Sequence, residues 1–161
     1  MTSQKTLHTQ ATVLTANDHE HTPCFVLDAS ALLAYLNGEP GAQRVQQCIE
    51  QGQAIMSSVN LAEVLSKCAD QGMSSADQAA LCAALPLEIS PFDTVLAQSS
   101  AALRSSTRAK GLSLGDRCCL ALAQSRNATA LTADQAWSRL GRADIGVEQL
   151  RPQTNPGSQR A

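Results

Sequence analysis

Four carboxylates carry the chemistry this chain could do, and each stands at a junction between an apolar run and a helical stretch. Asp28 closes the run Cys24-Phe25-Val26-Leu27, and Glu63 lies early in the helical stretch that follows the next such run. Asp116 follows Gly115 at the opening of another helix, and Asp134 comes between the stretch 128–132 and Trp137. Each acid has a purely structural use. Asn60-x-x-Glu63 and Ser113-x-x-Asp116 fit capping boxes. Asp28 and Asp134 suit the first turn of a helix, where the positive end favours an acid. As a set they suggest more. No Lys or Arg lies in the short stretches around Asp28, Glu63 or Asp134. Carboxylates drawn together repel one another. The usual compensation is a hard divalent cation with oxygen ligands, Mg²⁺ or Mn²⁺.

The elements that must position these acids alternate along the chain. Residues 24–27 form a short buried strand, and Leu32, Leu33 and Leu36 follow at helical spacing up to Gly38. A helix over 42–51, a strand over 53–59 and a helix over 60–71 come next. A helix over 75–84 stops before Pro86, and 87–89 is a short strand. One long helix is expected over 92–109, broken by Gly111. Then come a helix over 114–126, a strand over 128–132, a short helix over 134–140 and a last strand over 145–150. This alternation predicts a three-layer α/β/α fold with a mostly parallel central sheet. Such sheets bind ligands at the carboxyl ends of their strands, which is where the four acids stand.

Composition narrows the options. The chain has 161 residues, 43% of them hydrophobic, which supports one domain with a real core. Twelve basic residues face 14 acidic ones, for a net charge of −2, so this is no general polycation. Phe25, Tyr35, Phe92 and Trp137 are the aromatic residues, too few for a base-stacking platform. No apolar run approaches the length of a membrane span, and no signal peptide is visible. The six cysteines form no C-x-x-C pair. They read as small apolar residues in a reducing cytoplasm, with adjacent Cys118 and Cys119 on different helix faces. Residues 1–22 read as a polar, disordered extension, and 152–161 as a flexible tail. His8, His19 and His21 all fall in that extension. A histidine-based ribonuclease is therefore disfavoured, and His19-Glu20-His21 reads as solvated polar residues.

Four segments resemble the PIN-domain family, and among its members the bacterial VapC-type toxins. They are Leu27-Asp28-Ala29-Ser30-Ala31-Leu32-Leu33-Ala34, then Val59-Asn60-Leu61-Ala62-Glu63-Val64. The third and strongest runs from Lys110-Gly111-Leu112-Ser113-Leu114-Gly115-Asp116 through Arg117-Cys118-Cys119-Leu120-Ala121-Leu122-Ala123. The last is Leu131-Thr132-Ala133-Asp134-Gln135-Ala136-Trp137. The resemblance spans residues 23–151 as one PIN-like nuclease domain. It implies a metal-dependent endoribonuclease acting as the toxin of a type II toxin–antitoxin pair.

On that resemblance Asp28, Glu63, Asp116 and Asp134 hold Mg²⁺ or Mn²⁺, with Ser30, Asn60 and Thr132 in support. Asp28 and Asp116 would be direct ligands, and Glu63 would orient the attacking water or bind through water. Asp134 would complete the shell or a second, weaker metal position. The products would be a 5′-phosphate and a 3′-hydroxyl. Arg104, Arg108, Lys110 and Arg117 are the local positive charge for RNA phosphates, or else an ordinary solvated face. Arg117, one helical residue from Asp116, points about 100° away from it, so it would serve phosphate or structure. The resemblance also implies a cognate antitoxin and a homodimer, with helices 29–37 and 60–71 as candidate contact faces. The rival within the fold is a PIN-like module that binds RNA or protein without turnover. Aspartyl-phosphate phosphatases need D-x-D, and here Ser30 takes the second place. A receiver domain would want a phosphorylatable Asp after the third strand, where Ser90-Pro91 follows instead.

Overall fold

A computed structural model describes residues 24–151. The expected tails and the three histidines lie outside the described residues. The chain runs β1 (Phe25–Leu27), α1 (Ala29–Leu36), α2 (Ala42–Glu50), β2 (Ala54–Ser57), α3 (Ser58–Asp70) and α4 (Ser75–Ala84). It continues through β3 (Glu88–Ser90), α5 (Thr94–Ala102), α6 (Arg104–Thr107) and a 3₁₀ turn (Arg108–Lys110). Then follow α7 (Leu114–Ser125), β4 (Thr129–Thr132), a second 3₁₀ turn (Gln135–Arg139) and β5 (Gly146–Gln149).

The strands form one sheet in the order β3-β2-β1-β4-β5. Every pairing is parallel, so the described sheet is wholly rather than mostly parallel. Strand alternation splits its side chains between two cores. Val26, Ile55 and Ala130 face a layer holding Leu96 of α5, Leu120 and Leu122 of α7, and Trp137. Leu27, Met56 and Leu131 face a layer holding Leu32, Val45 and Val64 of α1, α2 and α3. These two helical layers with the sheet between them are the three-layer α/β/α fold. Burial on both faces is why the strands read as continuous apolar runs. Among the described residues, no helix is long and apolar enough to cross a membrane.

Two elements depart from expectation. The helix expected over 92–109 is three pieces, because Leu103 (φ −68°, ψ −14°) ends α5 and opens α6. Gly111 then closes the 3₁₀ turn in the left-handed region at φ +77°, as Gly permits without a Cβ clash. The second departure bears on the site. Ser57, at the end of β2, caps α3 by accepting from the Val59 amide at 3.2 Å. The helix therefore starts at Ser58, two residues before the expected position. Asn60 is inside its first turn rather than at its cap, and the capping-box reading of Asn60-x-x-Glu63 falls away. All six cysteines are free, and Cys82 alone is exposed. Cys118 meets Ser100 while Cys119 meets the Val26 carbonyl, each at 3.7 Å, on different faces of α7 as expected.

From β1 the chain reaches β2 on one side, while β4 lies on the other. The crevice between the carboxyl ends of β1 and β4 is thus the switch point of the sheet, where parallel α/β folds receive their ligands. Asp28 leaves β1 there, and Thr132 ends β4 beside it.

Candidate active site

Asp28 is the centre of the arrangement. Its side chain caps α1, with Oδ1 accepting from the Ala31 amide at 2.7 Å. Thr132 Oγ1 donates to Oδ2 at 2.7 Å, and Ser30 Oγ stands 2.9 Å from both oxygens. These neutral donors hold the carboxylate in place, yet the residue is only 3% exposed and makes no ion pair among the described residues. Burial therefore dominates and, with a smaller contribution from the charge of Asp116, pushes its pKa up from 3.8 to about 6. A carboxylate held this deep without a cation is costly unless something positive comes to it.

Asp116 approaches from α7. Its Oδ2 accepts from the Ser113 amide at 2.6 Å, while Ser113 Oγ accepts from the Asp116 amide at 3.1 Å, so the expected capping box is real. The other oxygen takes the indole N–H of buried Trp137 at 3.2 Å. Asp134 approaches from the far side of β4. Its Oδ1 accepts from the Ala136 amide at 2.9 Å, and its own amide donates to Thr132 Oγ1 at 3.0 Å. Thr132 thus joins Asp28 to Asp134, and Trp137 ties the turn after Asp134 to Asp116. Ser30 accepts from the Ala133 amide at 2.8 Å and closes the circuit. Capping and site-building are not alternatives here: Asp28, Asp116 and Asp134 each hold a helix start in place through the oxygens that the start in turn orients.

Glu63 sits on α3 facing the start of α7. A Cβ on Gly115 would lie 2.7 Å from Glu63 Oε2, so the close approach depends on glycine. Asn60 Nδ2 donates to the Gly115 carbonyl at 3.1 Å and fixes α3 against α7. Asn60 is 1% exposed, and its Oδ1 has no hydrogen-bond partner among the described residues. The expectation that no cation neighbours Glu63 is corrected. Lys67 Nζ stands 3.0 Å from Glu63 Oε1, one helical turn on.

The positive residues divide. Arg117 is 9% exposed, and its guanidinium donates to the Leu112 and Ser113 carbonyls at 3.2 and 3.1 Å. Of its two expected uses it has the structural one, bracing the turn before Asp116. Lys110 donates to the Leu140 carbonyl and links the two 3₁₀ turns. Arg104 and Arg108 are exposed. Arg139, on the turn after Asp134, is exposed as well and did not stand out in the sequence. Its only sequence signal is being five residues beyond a site acid.

Among the described residues the donor set suits a hard cation: carboxylates, hydroxyls and an unpartnered buried amide oxygen. Among the described residues, no three acids converge as a ready-made metal-ligand group. The physical reason is visible. Glu63 is turned to Lys67, Asp134 caps its own turn, and like charges separate when nothing lies between them. An open cleft of about 630 Å³ adjoins the site, lined by Ser30, Leu33, Lys67, Asp134, Gln135 and Arg151 among others.

Comparison with known proteins bears on the family and the fold. A family model described as PIN domain matches residues 25–143. No curated protein matches the chain closely enough to count as a relative. Several solved structures share the fold. DNA-bound VapBC from Salmonella typhimurium is 20% identical with a TM-score of 0.61, covering 81% of this chain and 100% of its own. VapBC2 from Rickettsia felis, bound to a DNA fragment from its promoter, is 20% identical with a TM-score of 0.62, covering 78% and 98%. FitAcB from Neisseria gonorrhoeae is 22% identical with a TM-score of 0.57, covering 78% and 97%. At such identities the likeness is one of fold.

Proposed function

The chain belongs to the PIN domain family, and on that premise we propose that it is a metal-dependent endoribonuclease, the toxin of a type II toxin–antitoxin pair. The observation that carries this reading is Asp28. It is a buried carboxylate without a cationic partner among the described residues, raised to a pKa of about 6, at the switch point of the sheet and within the field of Asp116. A fold retained only for packing or binding gains nothing from that arrangement, because an apolar or amide residue there would be cheaper.

Asp28 and Asp116 would hold Mg²⁺ or Mn²⁺, with Asp134 and Glu63 completing the shell. The ion would supply an acidified water and neutralise charge on the phosphate. The protein's own groups do the positioning. Ser30, Thr132 and the Ala31 amide keep both oxygens of Asp28 fixed, so that ligand needs no reorganisation. Trp137 and Ser113 do the same for Asp116. Glu63 is the least restrained carboxylate, held by one exposed lysine, and is the acid free to orient water or accept its proton. Arg104 and Arg108 remain the candidates for RNA phosphates.

The reading extends to a cytoplasmic toxin that forms a homodimer and is silenced by a cognate antitoxin, with the fold neighbours as precedent. Growth arrest on expression, relieved by Asp28→Asn, tests it in cells. In solution, purified protein should cleave RNA in Mg²⁺ and lose at least about a hundredfold of that activity in Asp28→Asn. The spread of the four acids favours the rival, a PIN-like binding module without turnover. Metal separates the two. Millimolar Mn²⁺ should raise the melting temperature by mass action, and a flat response with no cleavage would establish the binding module.

A further inference from the structure

Lys67 is the one cation among the described residues that touches an acid of the proposed site, and it also lines the cleft bordered by Ser30 and Asp134. Its ammonium is 3.0 Å from Glu63 Oε1. The other oxygen of Glu63 is pressed toward Gly115, next to Asp116. Both side chains of the pair are about half exposed, so the contact is weak and readily exchanged. The cleft brings Lys67 together with Ser30 and Asp134, which belong to the acid network, and with Asp70 and Glu39. Its other lining cation, Arg151, is engaged by Glu39.

A second property of lysine matters here. Its flexible four-carbon stem lets the charge move while the backbone stays, and its ammonium binds phosphate as a point charge. Glu63 cannot serve a divalent ion and Lys67 at full strength together, because the ion removes the negative charge that holds the lysine. An RNA strand whose scissile phosphate lies at the acids would run its neighbouring phosphates along the same cleft.

We propose that Lys67 is an exchangeable positioning residue: it neutralises Glu63 until the metal arrives, and then holds an RNA backbone phosphate in the adjoining cleft. The inference rests on the nuclease reading above. It assigns the cleft a substrate contact and makes Lys67 both a competitor of the metal and a partner of the RNA.

Lys67→Met keeps the stem and removes the charge, and Lys67→Arg keeps the charge. Two quantities are measured on the full chain. Mn²⁺ affinity is read by calorimetry without RNA. Binding of a short fluorescein-labelled oligouridylate is read by anisotropy across a salt series in Ca²⁺. Lys67→Met should bind Mn²⁺ about two- to threefold more tightly, from loss of a pair worth about 0.5 kcal/mol. Its log–log salt dependence for the oligouridylate should be shallower by about 0.7, the share of one neutralised single-strand phosphate. Lys67→Arg should restore the slope. Unchanged Mn²⁺ affinity in Lys67→Met overturns the proposal, and so does an unchanged slope. Either result would leave Lys67 an ordinary helix-surface pair while wild-type metal-dependent cleavage still stood. Wild-type protein that binds neither Mn²⁺ nor oligouridylate overturns the nuclease reading and this inference with it.

Discussion

At Asp28 the proposed function and stability pull in opposite directions, and pH separates them. An unfolded aspartate titrates near 3.8, whereas burial raises this one to about 6 in the fold. Between those values the folded protein binds more protons than the unfolded chain, so stability falls as pH rises through the interval. Above about pH 6 the penalty is complete, of the order of 3 kcal/mol. Asp28→Asn keeps an acceptor for the Ala31 amide and removes the charge. Metal-free Asp28→Asn should therefore melt several degrees above wild type at pH 8, with about a third of that gap left at pH 4.5. Differential scanning at the two pH values checks this, and an equal gap at both would remove the buried charge as its cause. Trp137 offers a second readout at this scale. It is the sole tryptophan, and its indole donates to Asp116 at 3.2 Å. Its emission should change on Mg²⁺ titration, and Asp116→Asn should abolish that change. Asp28 and Asp116 were legible in the sequence because a strand end and a cap each leave a local signature. Lys67 was not, since its distance from Glu63 is one helical turn and falls outside any short window around the acid. Nor did the sequence distinguish the two uses of Arg117, which only the Leu112 and Ser113 carbonyls decide.

The start of α7 shows how an element can serve the site at its own expense. Glycine within a helix costs roughly 0.5–1 kcal/mol relative to alanine. Gly115 is nevertheless buried there, with Glu63 Oε2 where a Cβ would need to go. Alanine would gain helix propensity and push the flexible end of Glu63 aside. Gly115→Ala should thus leave the melting temperature within about 2–4 °C of wild type. Its kcat should fall about tenfold, or about 1.4 kcal/mol of barrier, with KM little changed. A large loss of stability with kcat intact would mean that Gly115 matters for packing alone. The same elements show where the alternation of helix and strand was readable. Gly38, Gly52, Gly72 and Gly111 mark real ends, and β1 and β4 lie close to their expected spans. The start of α3 was misplaced because Ser57 is at once the last residue of β2 and the cap of the helix. The break at Leu103 carries no glycine or proline to announce it; an ordinary leucine with α-region angles joins α5 to α6.

Over the whole molecule the charge count changes meaning once the partners are known. A net of −2 speaks against a nucleic-acid ligand, but setting aside the four site acids leaves 10 acidic residues against 12 basic ones. Placement matters more than the total. Among the described residues, Arg44, Lys67, Arg126, Arg142 and Arg151 are in ion pairs. Lys110 and Arg117 are engaged by carbonyls. Arg104, Arg108 and Arg139 are left without an ion pair, on α6 and on the two 3₁₀ turns that Lys110 ties together. One of those turns starts at Asp134, and the other leads through Gly111 to Asp116. Among the described residues, the cations without an ion pair thus fall on segments that lead in sequence to two of the acids, a placement that would suit backbone recognition of the proposed RNA substrate. Replacing Arg104, Arg108 and Arg139 together by Ala should make the log–log salt dependence of RNA binding shallower by about 2, at about 0.7 for each phosphate no longer neutralised. The fold should be undisturbed, because none of the three is held in an ion pair. Arg126→Ala with Arg142→Ala removes two cations already paired to Glu88 and Asp144, and the slope should stay as in wild type. Equal changes in the two variants would mean that RNA senses only the net charge, and the positive arc would lose its claim to be the substrate path.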